Sequence, residues 1–161
     1  MKFKITLKID REYGDLLPFN YQYEQSAVIY RILAQADTQY SSWLHENGYQ
    51  LNGSKRFKLF CYSPFIFEKV RPLPEAGCLN IIGEKAVWYI SFIPEKSTLE
   101  FIQGIFAHQS FSIGNKKYQV AFDVVGVEAM PMPPLSEVMT FQALSPICVK
   151  LHEDNKTQYL S

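Results

Sequence analysis

From its first residues the chain alternates, with Phe3, Ile5, Leu7 and Ile9 on one side and Lys2, Lys4, Thr6 and Lys8 on the other. A period of two marks a half-buried strand, here with a basic outer face. A polar stretch containing Pro18 follows, from Asp10 to Asn20. From about Glu24 the period lengthens. Val28, Ile29, Ile32, Leu33 and Ala36 form an apolar stripe at helical spacing, which predicts a helix over 24–36. A second short helix fits 39–47, with Tyr40, Trp43 and Leu44 inward and Gly48 as its stop.

Strand signals dominate afterwards. Phe57–Tyr62 reads as a strand, and Leu79–Ile82 with Val87–Ile93 reads as a hairpin around Gly83-Glu84. The run AVWYISFI is apolar on both faces, as in a central strand. Ser97-Thr98-Leu99-Glu100 has the form of a capping box that opens a helix ending near Gln109, with Leu99, Ile102, Ile105 and Phe106 inside. Phe111–Ile113 and Tyr118–Val127 form a hairpin across Gly114-Asn115. Met130 to Pro134 interrupts the chain, and Thr140–Leu151 returns as a strand. The order is strand, helix, strand, strand, helix, strand. It predicts an α+β, ferredoxin-like (split βαβ) domain with an inserted β-hairpin and extra C-terminal strands. That fold hosts many functions, RNA binding among them, so function has to come from a site.

Composition narrows the classes. With 161 residues, 47% hydrophobic and 15% aromatic, the chain buries a real core, which excludes disordered and fibrous proteins. Sixteen basic residues balance sixteen acidic ones, so a nucleic-acid partner would be met by local clusters and not by net charge. The clusters are Lys55-Arg56-Lys58, Lys116-Lys117 and the Lys2/Lys4/Lys8 face. Cys61, Cys78 and Cys148 are odd in number and far apart, with no C-x-x-C, which suggests neither a zinc site nor a disulfide framework. They read as small apolar residues in a reducing compartment. The N-terminus lacks the apolar run of a signal peptide, and no run approaches the ~18 apolar residues of a membrane span. The expectation is a soluble, cytoplasmic protein without membrane contact.

Three histidines are candidates for proton chemistry. His45 stands just beyond Leu44 on the short helix, where its ring would reach the rim of the core. His108 falls in the last turn of the third helix, where the helix dipole explains it, and His152 lies in the polar tail LHEDNKT. Tyr30 sits about 100° around its helix from Ile29, beside the apolar stripe. Lys58 alternates with Phe57 and Leu59. By spacing alone Tyr30 and Lys58 are ordinary core-edge and surface groups.

Five segments in order change that: NYQY (20–23), SAVIYRIL (26–33), WLHENGY (43–49), FKLFCYSPF (57–65) and TFQALSPICVK (140–150). Together they resemble the sixth CRISPR-associated (Cas) family, repeat-processing endoribonucleases of the RAMP superfamily with RRM-like folds. The resemblance implies an active site made of a helix tyrosine, the histidine of an L-H-E segment and a lysine before a K-L-F strand. By position these are Tyr30, His45 and Lys58, with Lys55 an alternative for the lysine. Lys55 and Arg56 would contact RNA beside the site.

The implied chemistry suits these residue types. The 2′-hydroxyl attacks its own phosphodiester and leaves a 2′,3′-cyclic phosphate and a 5′-hydroxyl. Histidine can carry a proton either way near neutrality, lysine meets developing negative charge, and tyrosine serves as donor or orienter. Base and acid are not distinguished by the sequence. It also contains no two-histidine spacing, carboxylate cluster or D-x-D, so neither metal nor cofactor is expected. The expected partner is CRISPR repeat RNA, with a CRISPR effector complex as the onward recipient.

Relatives in that family continue into a second ferredoxin-like domain with a glycine-rich loop. The expectation is therefore a catalytic domain over 1–135 and, over 136–161, the start of a connection to a second domain absent from this chain. The face left open by that absence suggests a homodimer. Three other readings remain: a non-catalytic RNA-binding subunit of the same superfamily, a truncated fragment without activity on its own, and a ferredoxin-like interaction module unrelated to RNA.

Overall fold

The computed structural model describes residues 1–50, 56–140, 149–153 and 156–160. The chain opens with β1 (Lys2–Asp10) and β2 (Leu16–Pro18), then α1 (Gln22–Ala36) and α2 (Thr38–Glu46). Five short strands follow: β3 (Tyr49–Gln50), β4 (Arg56–Phe57), β5 (Phe60–Tyr62), β6 (Ile66–Phe67) and β7 (Val70–Leu73). Next come β8 (Cys78–Ile81), β9 (Lys85–Phe92), α3 (Glu95–Ala107), β10 (Ser110–Gly114) and β11 (Gln119–Met130). Strands β12 (Val149–Glu153) and β13 (Lys156–Leu160) pair with each other.

The main sheet runs β10-β11-β1-β9-β5, every neighbour antiparallel, with β6 also on β9. Taking β1, β5, β9 and β11 as the four strands of a split βαβ pair, α1 and α3 are its crossovers. This is the expected α+β ferredoxin-like arrangement. The alternation of β1 is realised: Phe3, Ile5, Leu7 and Ile9 are buried beneath the helices, and the lysines face outward. In the centre, Trp88, Ile90 and Phe92 of β9 bury opposite them. Each such side chain contributes about 1.5–3 kcal/mol by leaving water. The hairpin of β10 and β11 also forms, across Gly114 and Asn115. Among the described residues no helix is long and apolar enough to cross a membrane.

Several local expectations are corrected. Residues 79–82 do not form a hairpin with β9; β8 lies between β2 and β7 in a separate three-stranded sheet. The Arg11 guanidinium donates to the carbonyls of Ile81, Ile82 and Gly83 (3.0–3.2 Å), and the amides of Ile82 and Gly83 donate to Lys69. The turn's polar groups are thus taken from outside the supposed hairpin. The polar stretch 10–20 therefore contains β2, whose Leu17 is fully buried.

Helix α3 begins at Glu95, directly after the extended Pro94, and Ser97 does not cap it. Ser97 and Thr98 lie inside the first turn, the Ser97 hydroxyl bonded to that of Tyr40 and Thr98 donating to the Pro94 carbonyl at 3.1 Å. The buried side is Phe101, Gly104 and Ile105, while Leu99 and Phe106 are exposed. Helix α1 decides this rotation. A Cβ at position 104 would stand 1.8 Å from the Ile32 carbonyl oxygen, so only the glycine side of α3 can face α1. Trp43 is exposed at 39%, its ring covering Tyr40 and Tyr49 from outside. The expected strand Phe57–Tyr62 is broken at Leu59, whose φ is 55°. Most of the expected strand Thr140–Leu151 lies outside the described residues.

Candidate active site

The site is built around the C-terminal end of α2. That helix starts where Asp37 accepts the Tyr40 amide at 2.8 Å, an N-cap made by side chain. Its other end closes when the Asn47 and Gly48 amides both reach the Trp43 carbonyl. Gly48 takes φ of 65°, the left-handed stop that a glycine adopts without strain. It also permits a close approach, because a Cβ there would lie 2.8 Å from the Phe57 carbonyl oxygen and 3.4 Å from the Lys58 side chain.

Through this gap β3 and β4 pair and carry residues 56–58 alongside the helix end. Helix termini leave carbonyls without intrahelical partners, and cations are favoured there. The Lys58 ammonium donates to the carbonyls of Leu44 and His45, and the Arg56 guanidinium donates to that of Glu46 at 2.8 Å. Among the described residues no carboxylate forms an ion pair with either cation. Beyond Lys58, the reversal at Leu59 returns the chain to the sheet, where the Leu59 carbonyl receives the Ile93 amide at 3.0 Å.

Tyr30 comes to the same place from α1. Its ring stands edge-on to His45, centroids 5.0 Å apart, and edge-on to Phe60 at 5.7 Å. The Ser41 hydroxyl donates to the Tyr30 carbonyl at 2.9 Å and ties α2 to α1 at this level. Tyr30 is half-buried, while His45 is exposed. Burial, and secondarily the neighbouring Tyr62, pushes the Tyr30 hydroxyl above the ordinary tyrosine range, so it keeps its proton at neutral pH. Lys58 moves down, first because it is partly desolvated and then because Arg56 lies near.

The fold thus brings Tyr30, His45 and Lys58 together, although they come from two helices and a loop. Arg56 joins them, and Lys55 lies outside the described residues. His108 caps the end of α3 and is exposed, and Lys116 and Lys117 are exposed at the β10–β11 turn. Phe60 and Ser41 were not singled out from the sequence. Phe60 supports the Tyr30 ring, and its only sequence signal is its place in the K-L-F segment. Ser41 carried no signal, because its bond to the Tyr30 backbone depends on how two helices meet. Chemically, the cluster offers an imidazole at the surface, a tyrosine ring edge-on to it and a cation held by the carbonyls of the adjoining helix end. Among the described residues no three His, Cys, Asp or Glu side chains stand together as metal ligands.

Comparison with known proteins gives a consistent result. Residues 16–123 match the family model described as CRISPR-associated protein Cas6, N-terminal. A curated relative from Methanocaldococcus jannaschii, CRISPR-associated endoribonuclease Cas6 1, is 28% identical over 147 residues, covering 91% of this chain and 52% of its own. The Pyrococcus furiosus protein named CRISPR-associated endoribonuclease Cas6 is 25% identical over 159 residues, covering 98% of this chain and 55% of its own. The chain therefore spans about half the length of these relatives. A solved structure described as a Cas6-related gene product from Pyrococcus furiosus superposes with a TM-score of 0.75 at 24% identity, covering 99% of this chain and 60% of that one. At that identity the likeness speaks for the fold.

Proposed function

The chain belongs to the CRISPR-associated Cas6 family, and from that premise we propose that it carries the catalytic site of an endoribonuclease that cuts CRISPR precursor RNA within its repeats, in the cytoplasm and without a metal ion. The observation that carries this reading is the meeting of Tyr30, His45 and Lys58 at the end of α2. In the proposed reaction the ribose 2′-oxygen bonds to the adjacent phosphorus and loses its proton to a base. The bond from phosphorus to the 5′-oxygen breaks, and that oxygen takes a proton from an acid. The products are a 2′,3′-cyclic phosphate and a 5′-hydroxyl.

His45 is the group that moves a proton, since imidazole changes charge near neutrality. Tyr30 acts as a hydrogen-bond donor and orienter, in keeping with its raised pKa. Lys58 meets the charge of the phosphorane. An ammonium has three N–H bonds; two hold the carbonyls of Leu44 and His45, which leaves one for a phosphate oxygen. Holding these carbonyls also fixes Lys58 relative to His45, the pre-positioning that catalysis rewards.

The test is incubation of the complete gene product with repeat RNA in EDTA, followed by analysis of the product ends. Cleavage leaving cyclic phosphate and 5′-hydroxyl ends, lost in His45→Ala, is expected. Tight RNA binding with no cleavage would instead identify a non-catalytic RNA-binding subunit. Undiminished cleavage by His45→Ala would overturn the assignment.

A further inference from the structure

Beyond the cluster, two adjoining cavities follow the edge strand β5. The first, of about 420 Å³, is lined by Phe57, Lys58, Leu59, Phe60 and Ile93, and the second, of about 500 Å³, by Lys2, Tyr62, Ile66 and Tyr89. Both include Cys61 and Ser91, so they form one groove that leaves Lys58, crosses the sheet edge and reaches the outer face of β9. Large apolar side chains stand open along it: Phe57 is 42% exposed, Ile66 54% and Ile93 77%. Cations stand at both ends, Lys58 at one and Lys2 at the other, where the Lys2 ammonium lies 5.0 Å from the centre of the Tyr89 ring. Among the described residues no carboxylate lines either cavity.

We propose that this groove is a subsite for the single-stranded RNA segment next to the scissile phosphate, one nucleobase lying against Phe57 and another against Tyr89. The inference rests on the endoribonuclease reading and adds a track for the substrate. Aromatic side chains along the groove with an ammonium at each end suit the flat bases and the phosphates of a single strand. The lack of carboxylates suits a polyanion. Because Lys58 itself lines the first cavity, the track begins at the proposed catalytic lysine.

Cys61 is exposed where the two cavities join and gives a direct readout. The complete gene product is bound to a repeat oligonucleotide made uncleavable by 2′-deoxy sugars through the cut region. Alkylation of Cys61 is then followed by peptide mapping, with and without RNA. Strong slowing of Cys61 alkylation by RNA is expected. Phe57→Ala and Tyr89→Ala should each weaken binding about 5- to 150-fold, the range for loss of one base–aromatic stack. An oligonucleotide abasic at the position that meets Phe57 should show no further loss with Phe57→Ala. Bound RNA that leaves Cys61 alkylation unchanged, or an abasic scan with no position that cancels the Phe57→Ala effect, would overturn the subsite and leave the catalytic reading intact. An intact protein that neither binds nor cuts the repeat would overturn both.

Discussion

The Tyr30 ring meets the His45 ring edge-on, with centroids 5.0 Å apart and planes at 80°. The contact joins α1 to α2 through the two rings, and the tyrosine hydroxyl has no hydrogen-bond partner among the described residues. Packing and proton donation by Tyr30 can therefore be separated. Tyr30→Phe should keep thermal stability within about 0.5 kcal/mol and lower single-turnover cleavage by ~10²–10³, the loss expected for one positioned donor. Thermal melting read beside single-turnover rates checks both halves, and unchanged cleavage would remove Tyr30 from the site.

Lys58 has a depressed pKa, from partial desolvation first and from Arg56 second. Its cation is thus lost at a pH below the ordinary lysine range, and the alkaline limb of cleavage should begin there. Lys58→Arg stays charged and should move that limb upward, while Lys58→Met should lack the cation at every pH. For stability, the unfolded chain binds more protons than the folded one between the depressed and ordinary values, so Lys58's contribution rises with pH across that window. A pH–rate profile of the two variants is the measurement.

At the crossing of α1 and α3, Gly104 leaves no room for a side chain, since a Cβ there would fall 1.8 Å from the Ile32 carbonyl oxygen. Gly104→Ala should destabilise the fold by at least ~1–3 kcal/mol, because backbone must move to admit the methyl group. Denaturant unfolding gives the number. A variant as stable as the parent would mean that the helices separate more easily than their packing implies.

Asp37 is held below the usual carboxylate range, first by the Tyr40 amide that it caps and then by the Lys96 ammonium, 3.1 Å away. A carboxylate lowered in the folded state stabilises fully above its ordinary value, 3.8, and loses that contribution as pH falls through the lower, folded value. Asp37→Asn can still accept the Tyr40 amide but has no proton to gain. Its unfolding midpoint should fall less steeply below about pH 4 than that of the parent. Equal slopes in a pH series would show that Asp37 is not the group responsible.

Much of the fold could be read from local pattern. β1 and α1 follow from periods of two and of 3.6, which one face of a single element imposes by itself, the β10–β11 hairpin from its Gly114-Asn115 turn, and the central position of β9 from a run apolar on both faces. The failures share a different cause. Residues 79–82 joined β2 and β7 because Arg11 and Lys69, distant in sequence, occupy their turn. On α3 the expected inward positions Ile102 and Ile105 hold, while Leu99 and Phe106 turn outward and Phe101 and Gly104 face inward in their place. Hydrophobicity favoured Leu99 and Phe106, whereas close contact with α1 required Gly104.

For the candidate site the division is equally clear. The sequence by itself determined the residue types, the short helix that carries His45, the helical position of Tyr30 beside its apolar stripe, and the five ordered segments whose resemblance names the family. These depend on neighbours within a turn or two of chain. Only the tertiary structure decided that Lys58 lies against the end of α2. That placement needs Gly48 to admit the Phe57 backbone, Leu59 to reverse the chain, and unpaired helix-end carbonyls to receive the ammonium. Each condition is a contact between segments, and alternation along a single strand carries no information about what another segment leaves unsatisfied.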